Sequence, residues 1–429
     1  MKFVIAVVIF SVLILFHELG HFLLAKKNGI IVDEFSLGMG PRLLSFEKGG
    51  TRYSIKLFPL GGSCMMRGED EDDASEGSFN SASVLGRISV VAAGPVFNFI
   101  LAFFCGLIVV GAVGYDPAEV IGFAEDSPAA QAGLQEGDVI TKINGTNVDI
   151  GRDIYNYETF NGLKNQPITV KYERDGKEYS LTYEPYHETR YMLGFNYAAS
   201  EEYPATVTAI SLNMPFHRAG ILAEDVITEV DGTAIHSGMD LMEYFEAHPL
   251  GTQSLTITYE RDGEEKRAEV TPVKHTYVEL GFGYNTGREK TGPLGVLKYG
   301  AVEVKYWIKT TVQSLGMLFT GKVRVNDMSG PVGVVTVIGD TYESSRSQGG
   351  LITWINMLNM VILLSANLGI MNLLPIPALD GGRLIFLIIE GIRGKAVNRD
   401  AEGMVHFAGF VLLLGLIVYV TIQDITRLF

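Results

Sequence analysis

The chain has 429 residues, is 47% apolar and carries a formal net charge of −15. That acidity excludes nucleic acid as a partner, because a phosphate backbone recruits cations. The excess is local: residues 116–300 hold 30 acidic and 15 basic side chains, whereas the rest of the chain holds 19 of each. The two cysteines, Cys64 and Cys105, both lie outside that acidic segment, which excludes a disulfide framework for it.

Four stretches reach the length of about 20 apolar residues that a bilayer core requires: Phe3–Ala25, Ser89–Val113, Trp354–Leu374 and Met404–Ile422. The first is too long for a signal peptide and has no small-residue cleavage site after it. Lys26 and Lys27 at its far end, Arg87 before the second run, and Arg393, Lys395 and Arg399 before the fourth predict cytoplasmic ends. The expected topology is four spans with both termini outside and the acidic insert extracytoplasmic.

Inside the first run stands His-Glu-Leu-Gly-His (17–21). Residues four apart share a helix face, so His17 and His21 can bind one metal ion while Glu18 reaches a water on it. The 16 Leu, Ile, Val and Phe residues between Phe3 and Leu24 each contribute roughly −0.3 to −0.6 kcal/mol of insertion free energy. They outweigh a charged residue, which costs about 2.5–3.5 kcal/mol near the centre. In the second run, Gly94, Asn98 and Ala102 recur every four residues and form a small face suited to close helix packing.

The insert contains a repeat. Ala132, Gly133, Asp138, Val139, Ile140, Thr141, Gly145 and Thr146 recur 87 residues later, from Ala219 to Thr233. "YERDG" (172–176 and 259–263) and "LGF" (193–195 and 280–282) recur at the same offset. A fixed offset means two copies of one module, each β-rich with an Asp-Gly hairpin turn. Both copies resemble PDZ domains, which bind extended peptides by adding a strand to a sheet edge. Residues 296–320 then mix apolar and basic positions at helical spacing, fitting either a helix at the membrane interface or one packed on the repeats.

After the third run comes "MNLLPIPALDGGR" (371–383). Pro375 and Pro377 break the helix. Gly381 and Gly382 allow close backbone approach, and Asp380 arrives at the depth of His17. A carboxylate in such a segment calls for a partner. It is a better third ligand than Glu34 or Glu47, which would belong to a peptidase acting on cytosolic tails. A membrane-anchored PDZ scaffold or chaperone without activity is the non-enzymatic alternative.

His-Glu-x-x-His on the first span with Asn-x-x-Pro-x-Pro-x-x-Asp-Gly on the third resembles the site-2 protease family of intramembrane metalloproteases, regulator-of-sigma type, over nearly the whole chain. The resemblance implies an α-helical membrane protein of four transmembrane helices with an inserted PDZ tandem. Its parts are a membrane core (1–114, with a re-entrant β-loop over about 35–62), PDZ modules at 115–198 and 199–286, an amphipathic connection (287–352) and the remaining core (353–429). It implies Zn2+ on His17, His21 and Asp380, Glu18 as base, and Asn372 holding the substrate backbone. "GPVFNFILA" (94–102) matches its second-span pattern, and "SGPVG" (329–333) its segment before the third span. The strand around Ile55 and Leu57 is expected to pair with an unwound substrate. The expected setting is a bacterial cell membrane. The expected partner is a single-span substrate of the anti-sigma class, trimmed outside by a site-1 protease, with leftover signal peptides as the second class.

Overall fold

The computed structural model describes residues 2–69, 73, 75–323 and 328–426. The chain opens with helix α1 (Lys2–Lys27), strands β1 (Val32–Lys48) and β2 (Thr51–Met66), and helix α2 (Val84–Val113). The insert follows with β3 (Val120–Phe123), α3 (Pro128–Gln131), β4 (Val139–Ile143), β5 (Thr146–Asn147), α4 (Gly151–Asn156), β6 (Ile168–Arg174), β7 (Lys177–Tyr183), β8 (Tyr186–Met192) and β9 (Phe195–Tyr197). Next come β10 (Val207–Ile210), α5 (Pro215–Arg218), β11 (Val226–Val230), β12 (Thr233–Ala234), α6 (Gly238–Ala247), β13 (Leu255–Arg261), β14 (Glu264–Val270), β15 (Val273–Glu279) and β16 (Phe282–Tyr284). Helices α7 (Pro293–Phe319), α8 (Pro331–Arg346), α9 (Gly350–Leu373), α10 (Asp380–Arg393) and α11 (Arg399–Thr426) complete the chain.

The chain forms two compact units. One comprises Met1–Ala118, Val148–Asn161 and Asn285–Phe429, the other Glu119–Asn147 and Gly162–Tyr284. In the first unit α1, α2, α9 and α11 are long and apolar enough to cross a membrane. Their apolar surface runs all round, as lipid rather than water requires. Ala6, Ile9 and Leu13 of α1 pack with Leu101, Ala102 and Val109 of α2 and Ile355 and Ile362 of α9. Gly20 permits the close crossing of α1 and α2, because a Cβ there would collide with the Ala93 carbonyl. Ser83 caps α2 by accepting from the Gly86 N–H at 3.1 Å.

The loop expected at 35–62 is a β-structure folded on itself. Residues 34–37 pair on one side with 62–65 and on the other with 52–55, and 42–48 pair with 51–56. The segment at 52–55 therefore lies between two neighbours: Ile55 pairs with both Leu37 and Leu44. The end of β2 is paired on one side only and packs against α1.

Helix α7 is continuous and lies along α2 and α9. Trp307 packs into the core of the spans, and Thr311 hydrogen-bonds Asn367 of α9. On its other side α7 carries α4. Arg152 bridges buried Asp116 at 2.9 Å and buried Glu303 at 2.7 Å, Lys309 pairs with Asp153 at 3.0 Å, and the Asn156 amide donates to the Thr310 hydroxyl at 2.6 Å. Helix α7 thus packs both on the spans and on α4, a helix within the expected module at 115–198.

In the second unit the two copies have the same sheet order, β5-β4-β6-β7 and β12-β11-β13-β14. They also share register: Ile140 pairs with Tyr172 as Ile227 pairs with Tyr259. Asp175-Gly176 and Asp262-Gly263 take positive φ at both positions, the turn that suits a twisted hairpin. The "LGF" strands sort differently from the expected borders. β9 pairs with β10 of the second copy, and β16 returns to pair with β3 of the first. Borders at 198/199 and 286 group β9 with the first copy and β16 with the second, opposite to both pairings, because strand pairing is settled by tertiary contact. The second copy is nested within the first.

Candidate active site

Helix α1 presents His17 and His21 one turn apart, both buried, with their rings edge to face. Their Nε2 atoms lie 3.2 Å apart. From the far end of the sequence, the Asp380 Oδ2 approaches the Nε2 of His17 at 3.1 Å and that of His21 at 3.5 Å. Among the described residues, this trio is the group of His, Cys, Asp and Glu side chains able to hold a metal ion. Zinc bonds of about 2.0–2.2 Å in tetrahedral array set neighbouring donors roughly 3.3–3.5 Å apart. The separations of 3.1, 3.2 and 3.5 Å lie at or just under that size. Asp380 Oδ2 is buried and has no hydrogen-bond donor of its own, which fits an oxygen directed at a cation.

The surroundings orient both rings. Gly94 lies directly beneath them, since a Cβ there would stand under 3.0 Å from His21 Nε2 and from two atoms of His17. The Val90 carbonyl accepts from His21 Nδ1 at 2.9 Å. Pro95 lacks a backbone N–H and opens this turn of α2. The Asn98 amide stands 3.1 Å from His17 Nδ1, while its own Oδ1 is buried without a donor. A histidine that ligates through Nε2 carries its proton on Nδ1. Turning the amide over gives that proton to Oδ1 and satisfies both groups. Ser365 of α9 donates to the Asn98 carbonyl at 2.8 Å and ties the third span to this point.

Glu18 is half-buried beside the trio. Gly62 faces it, where a Cβ would stand 3.1 Å from the Glu18 side chain, and the Cys64 backbone lies near its carboxylate. The part of β2 at the site is therefore 62–64. Ile55 lies in the doubly paired segment, so its backbone has no edge to offer, and this corrects the expectation placed on it. Ile55 and Leu57 are about half exposed, at 49% and 48%. The glycine pair at 61–62 was the available signal for the close approach.

Asp380 reaches the trio by a sharp turn. Helix α9 ends at Leu373 and α10 begins at Asp380, with Pro375 and Pro377 between them. Gly381 and Gly382 are obligatory, since a Cβ on either would collide with backbone of the preceding loop. Asn372 sits half-buried in the last turn of α9. Glu34 is held by Arg42 through two hydrogen bonds of 2.9 and 2.8 Å, and Glu47 by Arg52 at 2.7 Å. Neither joins the trio, so neither is its third donor.

This arrangement has known relatives. The sequence profile of Peptidase family M50 matches residues 5–416. The chain belongs to this peptidase family. It is 32% identical to "Zinc metalloprotease RasP" of Geobacillus kaustophilus, covering 99% of this chain and 97% of the relative. It is 33% identical to the protein of that name in Bacillus licheniformis (99% and 98% covered). It is 30% identical to "Regulator of sigma-W protease RasP" of Bacillus subtilis (99% and 98% covered). This M50 chain is a membrane metalloprotease, and the scaffold reading without activity is set aside.

Proposed function

We propose that this M50 peptidase cleaves single-span membrane proteins within or near their transmembrane segment, at a zinc site formed by His17, His21 and Asp380. One observation carries the reading. Ligand-type atoms from the first span and from the turn after the third converge to within 4.8 Å of one another, inside helices that belong in lipid. Ionisable groups there are rare and functional.

Zinc supplies Lewis acidity toward a water and the scissile carbonyl. Glu18, held beside the trio by β2, takes the proton of the attacking water and returns it to the leaving amine. His17 and His21 are kept in the ligating tautomer by Asn98 and Val90. The half-buried Asn372 amide, in the last turn of α9, donates to the substrate backbone. A substrate helix must unwind to expose its peptide bond. The unpaired edge of β2 at 62–66 receives that unwound strand by β-addition. The repeats act as PDZ modules that restrict bulky, untrimmed ectodomains. The charged flanks support an extracytoplasmic position for the repeats and a cytoplasmic-side position for the trio. The substrate class is an anti-sigma factor already cut by a site-1 protease. The name of the Bacillus subtilis relative supports that class.

The test is co-expression with tagged single-span substrates, with and without Glu18→Gln, and mapping of the cut by mass spectrometry. A Glu18-dependent cut inside the span is expected. Chelation should abolish it and added zinc restore it. A cut outside the span, or one indifferent to Glu18, overturns the proposal. For strand addition, a cysteine at Met65 should form disulfides with alternate substrate positions in a background lacking Cys64 and Cys105. A cysteine at Ile55 should not.

A further inference from the structure

We infer that His406, on the fourth span, is a positioning residue that holds the Asp380 turn in its ligating conformation. The inference rests on the reading of Asp380 as a zinc ligand, and extends the site to a helix that supplies no ligand.

The backbone donors of the turn have few places to go. Pro375 and Pro377 have none. The Leu374 N–H donates to the Met371 carbonyl at 3.1 Å, the Ile376 N–H to the Leu374 carbonyl at 2.7 Å, and the Leu379 N–H to the Ile376 carbonyl at 3.2 Å. The Ala378 N–H has no local acceptor. It donates to His406 Nδ1 of α11 at 2.9 Å. Ala378 has φ of 76°, a left-handed conformation that an alanine adopts only when its surroundings impose it. Asp380 stands two residues further on. Without His406, the strained residue would carry an N–H with no partner inside the protein to hold it.

The rest of α11 is shaped to the same turn. Gly409, one helical turn beyond His406, leaves room for Pro377: a Cβ there would stand 2.7 Å from the Pro377 carbonyl oxygen and collide with its ring. Phe386 of α10 lies against the His406 ring, with centroids 5.6 Å apart. His406 and Gly409 thus grip the turn from the fourth span as Gly381 and Gly382 fit it from α10.

The experiment compares wild type, His406→Ala, His406→Asn and Gly409→Leu as full chains in detergent. Asparagine keeps an acceptor oxygen near the Nδ1 position. Zinc release to a chelator should be about 10- to 100-fold faster in His406→Ala and Gly409→Leu, the range seen when support of a ligand is lost. It should return to within about threefold of wild type in His406→Asn. Hydrogen exchange of the 374–379 amides in zinc-free protein should rise in His406→Ala and not in His406→Asn. Wild-type zinc release and exchange in His406→Ala, or equal damage in His406→Asn, overturns the inference. Zinc retention in Asp380→Asn overturns the ligand reading instead, and the metal-free exchange still decides the role of His406.

Discussion

The two segments that meet at the donor trio are built in opposite ways. His17 and His21 stand on a regular helix, where the 3.6-residue repeat puts side chains four apart on one face. Asp380 stands after a loop with two prolines and an alanine at φ 76° and before a pair of glycines, and only a few short-range hydrogen bonds hold that turn. A regular element carries its geometry in its own hydrogen bonds. An irregular one borrows geometry from neighbours, here α10 and α11. The same span supplies two donors of the trio and an apolar surface, whereas the aspartate depends on packing against other helices.

Substitutions can break this contrast. The largest effect is expected at the reacting groups. Glu18→Gln should lower cleavage by about 10²–10⁴-fold with zinc retained, and Asp380→Asn should lose both, as read by metal analysis beside a cleavage assay. Retention of zinc by the second variant would mean the loop adds no ligand. Next is Gly94→Val, which drives a side chain into the imidazole pair. Displacement of a catalytic group by about 1 Å costs on the order of 10²-fold, so cleavage should fall at least that far although neither ligand is changed. Full activity would show that the regular helix tolerates what the geometry forbids.

Asn98→Leu sharpens the comparison further. It leaves His17 Nδ1 without a partner and should weaken zinc affinity about 10- to 100-fold, by titration against a competing chelator. An unchanged affinity would mean that α1 orients His17 unaided.

The smallest effect on cleavage is expected far from the trio. Burial acts to raise the Asp225 carboxyl, but Arg261, paired at 2.6 Å, and the Leu222 N–H outweigh it and hold the carboxyl below its ordinary value. Such a group stabilises the fold fully above its unfolded value of about 3.9, and the contribution is lost as pH falls through the lowered one. Replacing the buried Asp225 carboxylate leaves the part-exposed Arg261 without its charged partner. Asp225→Asn should therefore lower unfolding stability of the repeat unit and flatten its acid dependence, while a short pre-trimmed substrate is cut at the wild-type rate. Loss of that cleavage would tie the repeats to the chemistry itself.

Much of this was legible along the chain. The spans appear as apolar runs, the repeat as an 87-residue offset, and His17, Glu18 and His21 as a motif, because each is a local pattern that a helix or hairpin repeats. Asp380 was legible through the Pro-x-Pro break and the glycines after it. Other features were not. The double pairing of Ile55, the crossing of the "LGF" strands, the place of Gly62 and Cys64 beside Glu18, and the grip of His406 on Ala378 all join residues whose separation in sequence carries no period.

The sequence by itself determined which segments are apolar enough to enter lipid, that two modules repeat, and which side chains are candidates for the chemistry, since hydropathy, periodicity and spacing are properties of neighbouring residues. Only the tertiary structure decided that Asp380 faces the imidazoles, which edge of β2 remains unpaired, and which copy each returning strand joins. Those outcomes depend on backbone hydrogen bonds and steric fit between distant segments, and water-poor surroundings leave few ways to satisfy them.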